Sequence, residues 1–263
     1  MDLKEVSLFG VTFSILVYTP LYFYFRDKRM QQRPKNSKFH PSKKRIIKLT
    51  VFNIISNVIA NAQLASLLAV ILVNTKVFST QIWVFSILFL FCVGLTLYGA
   101  GIYITSIVLK AYTIPELTKS EFFRSQLVAM NLFHHPISHI LMYSGWIVAF
   151  LILCFIDISS AQTVNHHTRT LLAVGSLGGV VYSYSLIRNK TAIYQIPIAL
   201  FSLFVLSLSL FIAKIPLAQT SFGTYYLGFL VVYNFILLSY LALLRIKNEN
   251  IFQFPDDMNL QSS

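Results

Sequence analysis

Apolar positions in this chain come in long unbroken runs, not in alternation with polar ones. Seven runs stand out, at about 7–25, 50–73, 82–109, 137–157, 170–187, 192–213 and 223–244. A helix needs roughly 20 mostly apolar residues to cross about 30 Å of hydrocarbon, and each run is long enough. Inside a bilayer each backbone N–H and C=O must be satisfied within its own helix, so runs of this length read as helices and not strands. The pattern predicts an all-α fold, a polytopic membrane helix bundle of about seven transmembrane helices. Residues 1–263 form one integral membrane domain in this reading. Composition agrees: 56% hydrophobic residues and 11% charged do not describe a soluble domain.

The polar exceptions inside the runs carry the candidate chemistry. In the second run Asn53, Asn57 and Asn61 recur at steps of four, which stacks them in a nearly straight ladder on one helix face. Ser56 joins the ladder, and Gln63 lies around the corner. Ile54, Ile55, Val58 and Ile59 form the opposite face, suited to lipid. An unpartnered amide in hydrocarbon costs several kcal/mol, so the ladder is expected to face other helices or a wet cavity. The third run contributes Gly94, Thr96, Tyr98, Gly99, Ala100, Gly101 and Tyr103, a small and hydroxylated half that permits close helix approach. The fifth has Gly175, Gly178 and Gly179 beside Tyr182 and Tyr184, and the seventh has Tyr233 and Asn234. The ligand-lining set expected from these patterns is Asn53, Asn57, Asn61, Gln63, Tyr98, Tyr233 and Asn234.

Charge adds orientation. The net charge is +12, and Arg26 through Lys48 holds the densest block of Lys and Arg between the first two runs. Alternate connections then carry Lys110, Lys119 and Arg124, Arg188 and Lys190, and Arg245 and Lys247, leaving only Lys4, Lys76, Arg169 and Lys214 for the other side. This is the positive-inside asymmetry, and it predicts an N-out, C-in topology. Residues 26–48 become a basic cytosolic loop and 245–263 a short cytosolic tail. Lys43, Lys44 and Arg45 can contact anionic lipid at the cytosolic face, worth about 1 kcal/mol per close charge, though such charges also serve simply to hold a loop inside. So distributed, the charge argues against a nucleic-acid partner and for the lipid bilayer, with a membrane-protein partner as a further expectation. Residues before the first run make a poor basic leader, so that run is expected to stay uncleaved. Thr118 to Phe133 predicts a short interfacial helix over about 120–133.

Three histidines fall in six residues: His134, His135 and His139. His135 and His139 have the i, i+4 spacing of a helical ligand pair, but a metal centre wants three protein ligands and usually a carboxylate. The nearest acids, Glu116 and Glu121, lie well upstream, and His166 and His167 belong to the opposite membrane side. The expectation is no metal and no cofactor, with the histidines starting the fourth span and Pro136 in its first turn. No Asp, Glu, Lys or Arg falls in the middle of a run, which argues against ion pumps and proton-coupled carriers. The seventh run has no Lys for a retinal Schiff base, and no nucleotide loop or nucleophile elbow occurs.

The leading expectation is a non-enzymatic multi-pass protein that binds or passes a neutral polar or lipid-like ligand through an Asn/Ser/Tyr-lined bundle. A receptor-like or partner-binding protein acting through its inner loops is one competitor; a His-dependent membrane enzyme acting on lipid is another. The Phe-rich spans suit an endomembrane such as the endoplasmic reticulum over a plasma membrane.

Overall fold

The computed structural model describes residues 2–31, 43–75, 79–113, 129–160 and 167–247. Its long helices are α1 (Leu3–Gln31), α2 (Lys43–Val73), α3 (Thr80–Thr113), α4 (Ser138–Ser159), α5 (Thr168–Arg188), α6 (Ala192–Ala213) and α7 (Ser221–Ile246). All seven are long and apolar enough to cross a membrane, and no strand occurs among the described residues. Candidate spans within them, such as Thr50–Val73 and Ala192–Ala213, coincide with the hydrophobic runs.

Both basic flanks are more helical than the sequence suggested. α1 continues through Gln31 and α2 begins at Lys43, so the loop expected over 26–48 is helical at each end. Spans end where apolar side chains stop, whereas a helix carries on as long as no residue breaks its hydrogen bonds. Residues 32–42, the body of the expected interfacial helix up to 128 and the tail from 248 lie outside the described residues.

Consecutive helices run in opposite directions. The helices close into a ring in the order α1, α2, α3, α4, α6, α7, α5 and back to α1, and α4 and α7 also touch across it. The closest seams are α5 on α7 and α3 on α4, and glycine makes both. A Cβ on Gly228 would stand 2.5 Å from Leu172 O, and one on Gly179 2.6 Å from Phe229 O; at Gly99 it would meet Met142 N at 2.7 Å. Backbone cannot yield as a side-chain tip can, so these positions admit no side chain at the present helix separation. The core between the helices is apolar, with Leu8, Leu64, Phe89, Ala149, Leu153, Leu206 and Leu230 fully enclosed. Ile54, Ile55, Val58 and Ile59 are exposed, on the side of α2 expected to face lipid, and the most exposed large side chains, such as Phe211 at 81%, also face outward. In a bilayer such surface needs no cover.

The two ends of the bundle differ in chemistry. At the end where α1, α5 and α7 start, Asp2 and Glu5 form a reciprocal cap: Asp2 Oδ1 accepts from Glu5 N at 2.8 Å, and Glu5 Oε2 accepts from Asp2 N at 3.2 Å. Glu5 Oε1 also accepts from the backbone N–H of His167 at 2.8 Å, joining α1 to the start of α5. Asp157 holds α7: its Oδ2 accepts from the Thr220 hydroxyl at 2.8 Å and from Phe222 N at 3.0 Å. Thr220 in turn caps α7 by accepting from Gly223 N. A carboxylate at a helix N-terminus is favoured by the helix dipole.

The chain enters α4 through a π-helical turn, Phe133–Ile137, that contains Pro136. The sequence places Pro136 in the first turn of the fourth span, but Pro136 does not open the helix, because residues 129–132 are already helical. Proline has no N–H to give, and the turn absorbs this by widening: Ser138 N–H donates to Phe133 O, while the Ser138 hydroxyl donates to His134 O.

Candidate functional site

The widened turn brings His134 and His139 to one face. An ordinary helix would align His135 with His139, whereas a π turn aligns residues five apart. His134 and His139 are the buried pair, with ring centroids 6.2 Å apart, and both pack on Tyr103, at 4.7 Å and 5.2 Å. The His134 Nδ1 lies 2.7 Å from the Ser106 hydroxyl, and Tyr103 OH lies 3.0 Å from Tyr22 OH. The His135 side chain is outside the described set. Among the described residues no three of His, Cys, Asp and Glu gather as a metal site would require.

From His139 a belt of aromatic and amide side chains runs around the adjoining half of the bundle. His139 stacks on Tyr143 at 5.4 Å, Tyr143 meets Tyr182 of α5 edge-on at 5.6 Å, and Tyr182 lies 5.7 Å from Tyr233 of α7. Next in sequence, Asn234 donates its amide to Leu230 O at 2.8 Å and to Ala199 O of α6 at 3.2 Å. One turn before Ala199, Gln195 donates to His139 O at 3.4 Å, which closes the circuit. α4, α5, α6 and α7 all contribute to it.

Four oxygens in this belt are buried without a hydrogen-bond partner: Tyr182 OH, Tyr233 OH, Gln195 Oε1 and Asn234 Oδ1. Gln195 and Tyr233 are fully enclosed and Asn234 is 3% exposed, so bulk water does not reach them. Such groups each cost about 1–3 kcal/mol when left unpaired, and several on neighbouring helices call for an explanation.

The expected lining residues fall in three places. Tyr233 and Asn234 belong to the belt. Asn53, Asn57, Asn61 and Gln63 lie on α2, which packs against α1, α3 and α4. There Asn57 donates to Asn53 O and Asn61 to Asn57 O, both at 2.8 Å, so the ladder is spent largely on its own backbone. Asn53 Nδ2 and Asn61 Oδ1 remain buried and unpartnered, and Gln63 bonds the Ser14 hydroxyl of α1. Tyr98 needs correction: it is 65% exposed on the outer surface of α3 and lines no interior. Its Gly neighbours pack inward at Gly99, and a residue one position back points about 100° away. Lys43, Lys44 and Arg45 begin α2, and their side chains lie outside the described set.

Sequence reasoning left Tyr143, Tyr182 and Gln195 out of the ligand-lining set. A signal was present in Gln195, a neutral amide one turn inside an apolar helix, but a single amide does not reveal its neighbours. Away from the belt, a surface groove of about 340 Å³ runs between the start of α3 and the end of α4, floored by Phe85 and Phe155. Comparison with known protein families, with characterised proteins and with solved structures finds no match for this chain.

Proposed function

We propose that this multi-pass membrane protein binds a neutral polar or lipid-like ligand inside its helix bundle, without catalysing a reaction on it, at the belt of Tyr143, Tyr182, Gln195, Tyr233 and Asn234. The observation that carries this reading is the set of four buried, unpartnered oxygens shared among α5, α6 and α7. Hydroxyls and amides set among aromatic faces are the usual means of fixing a small molecule's orientation in an otherwise apolar site. Among the described residues no charged side chain joins the belt, which suits an uncharged ligand. The unpartnered amide atoms of Asn53 and Asn61 are polar ground of the same kind on the α2 side.

The test is native mass spectrometry and density of the full chain in lipid nanodiscs, for the wild type and for Tyr182→Phe with Tyr233→Phe. A molecule retained by the wild type and lost or weakened in the double variant supports the reading. Ordered water alone in the belt, with ligand retention the same in both proteins, overturns it.

The Ser106 hydroxyl, which donates to Tyr103 O at 2.7 Å, also lies 2.7 Å from His134 Nδ1; a rotation of its hydrogen toward the imidazole would pair a nucleophile with a base, and this favours a second reading, a lipid-directed serine enzyme. Labelling by a fluorophosphonate probe that disappears in Ser106→Ala would support it over the first.

A further inference from the structure

At Gly99 and Gly145 the backbones of α3 and α4 meet: a Cβ on Gly99 would stand 2.7 Å from Met142 N, and one on Gly145 2.9 Å from Cys92 O. Toward the other end of this seam, residues 80–93 of α3 and 146–159 of α4 contain no glycine. Phe85 and Phe155 stand there instead, ring centroids 5.6 Å apart, and the groove of about 340 Å³ lies over them. Aromatic rings hold two backbones farther apart than glycine does, so a helix pair that seals at one level leaves a hollow at another.

Depth and lining decide what the hollow can hold. The candidate spans begin at Thr80 and end at Ser159, which puts the groove at the edge of the hydrocarbon. Trp83 beside it is 60% exposed, where an indole marks the headgroup boundary. The inner part is walled by Val84, Phe85, Phe155 and Ile158. An apolar hollow of this kind stays dry and accepts apolar groups. The rim is polar and uncharged: the side chains of Thr80, Gln81 and Ser159 have no hydrogen-bond partner among the described residues. A molecule that is apolar along its length and polar at one end matches both levels.

Size narrows the choice. At about 30 Å³ for a water-sized group, 340 Å³ is room for about eleven such groups. That admits the ester and upper methylenes of one acyl chain, and it is too little for the fused rings of a sterol. Among the described residues no charged side chain lines the groove, so recognition falls on the ester and the chain, not on headgroup charge.

We propose that this groove is a lipid site that holds one acyl chain of a bilayer glycerolipid, from the leaflet at the end where α1, α3, α5 and α7 start. The chain lies on Phe85 and Phe155, and its ester oxygens accept from the Gln81 amide and the Ser159 hydroxyl. The site is independent of the interior belt, and either can fail alone.

The experiment uses the full chain in phosphatidylcholine nanodiscs with a trace of phosphatidylcholine that carries a diazirine near the ester end of one acyl chain. Residues 208–212 of α6, where Phe211 and Ile212 are exposed at the same end of the bundle, report ordinary bilayer contact. Crosslinking to 80–85 and 155–159 is expected to exceed that reference at least about fivefold. Val84→Trp, at a half-exposed position, fills the groove and should bring its yield down to the reference while 208–212 stays unchanged. Gln81→Leu with Ser159→Ala keeps the hollow and removes the rim donors, and should lower the yield about threefold. That variant carries the test if Val84→Trp does not fold. Yields equal to the reference, or unaltered by both variants, overturn the proposal and leave only ordinary bilayer contact. Displacement of the label by equimolar sterol overturns the assignment to an acyl chain.

Discussion

Lys4 and Asp157, 153 residues apart in sequence, meet in a buried ion pair with Nζ 2.7 Å from Oδ1. The pair fastens the first turn of α1 to the last turn of α4, and Asp157 passes the connection on to the start of α7 through Thr220 and Phe222 N. Its position at the ends of spans explains how two charges fit a membrane bundle: neither lies at mid-depth, where the cost would be highest.

The two partners of this pair should not be equivalent. Removing one side of a buried pair leaves the other uncompensated, at about 3–5 kcal/mol. Lys4 can move its ammonium toward water along a flexible stem, and Asp157 has two further donors that would be orphaned. Asp157→Ala is expected to lower the thermal unfolding temperature in detergent clearly more than Lys4→Met. Equal losses would mean that Thr220 and Phe222 N contribute nothing.

Gly228→Ala should cost several kcal/mol, because its Cβ would stand 2.5 Å from Leu172 O and drive α5 from α7. Gly101→Ala provides the control, since nothing lies within 4 Å of the added carbon. There the change should be neutral or stabilising by up to about 1 kcal/mol, from helix propensity alone. Thermal unfolding of the two variants side by side reads the difference.

On α2, Asn57 and Asn53 separate glue from site. Asn57 is half-buried and donates only to its own helix, so Asn57→Leu should shift stability by less than about 1 kcal/mol. Asn53 is 1% exposed with an unpartnered amide nitrogen, and Asn53→Leu removes an unsatisfied group. In detergent, without ligand, Asn53→Leu should be neutral or stabilising. A large loss at Asn57, or at Asn53 in ligand-free protein, would show that the ladder holds helices together in a way these bonds do not account for.

Lys190 closes α5 with φ at 57°, a left-handed conformation that glycine adopts more cheaply. Lys190 N bonds Ile187 O and Thr191 N bonds Leu186 O, both at 3.0 Å, the paired bonds of a Schellman turn. Lys190→Gly is expected to stabilise by about 1 kcal/mol, read as a rise in unfolding temperature. A fall would mean that the lysine side chain outweighs its backbone strain.

The topology expected from the basic residues can be tested by thiol labelling, with little background, because both native cysteines, Cys92 and Cys154, are buried. Lys48→Cys and Lys214→Cys replace exposed residues at opposite ends of the bundle. An impermeant maleimide applied from the non-cytosolic side should label position 214 and spare position 48. The reverse pattern would invert the N-out, C-in assignment.

Sequence alone determined the candidate spans, since crossing hydrocarbon demands a length of apolar chain that can be counted, and it determined which side of α2 is left exposed, because four-residue periodicity fixes a face. It also exposed the amide and tyrosine residues from which a site could be built. Only the tertiary structure decided which of them converge. Tyr98 turned outward while its neighbour Gly99 took the contact with α4, and the Asn53–Asn57–Asn61 ladder closed largely on its own backbone. Tyr182, Gln195, Tyr233 and Asn234, from three helices, meet in one belt. A π turn that contains Pro136 set His134 beside His139. The reason is physical: periodicity gives the direction of a side chain from its own axis, but rotation and neighbour order come from long-range packing, here of glycine seams and a salt bridge 153 residues in span.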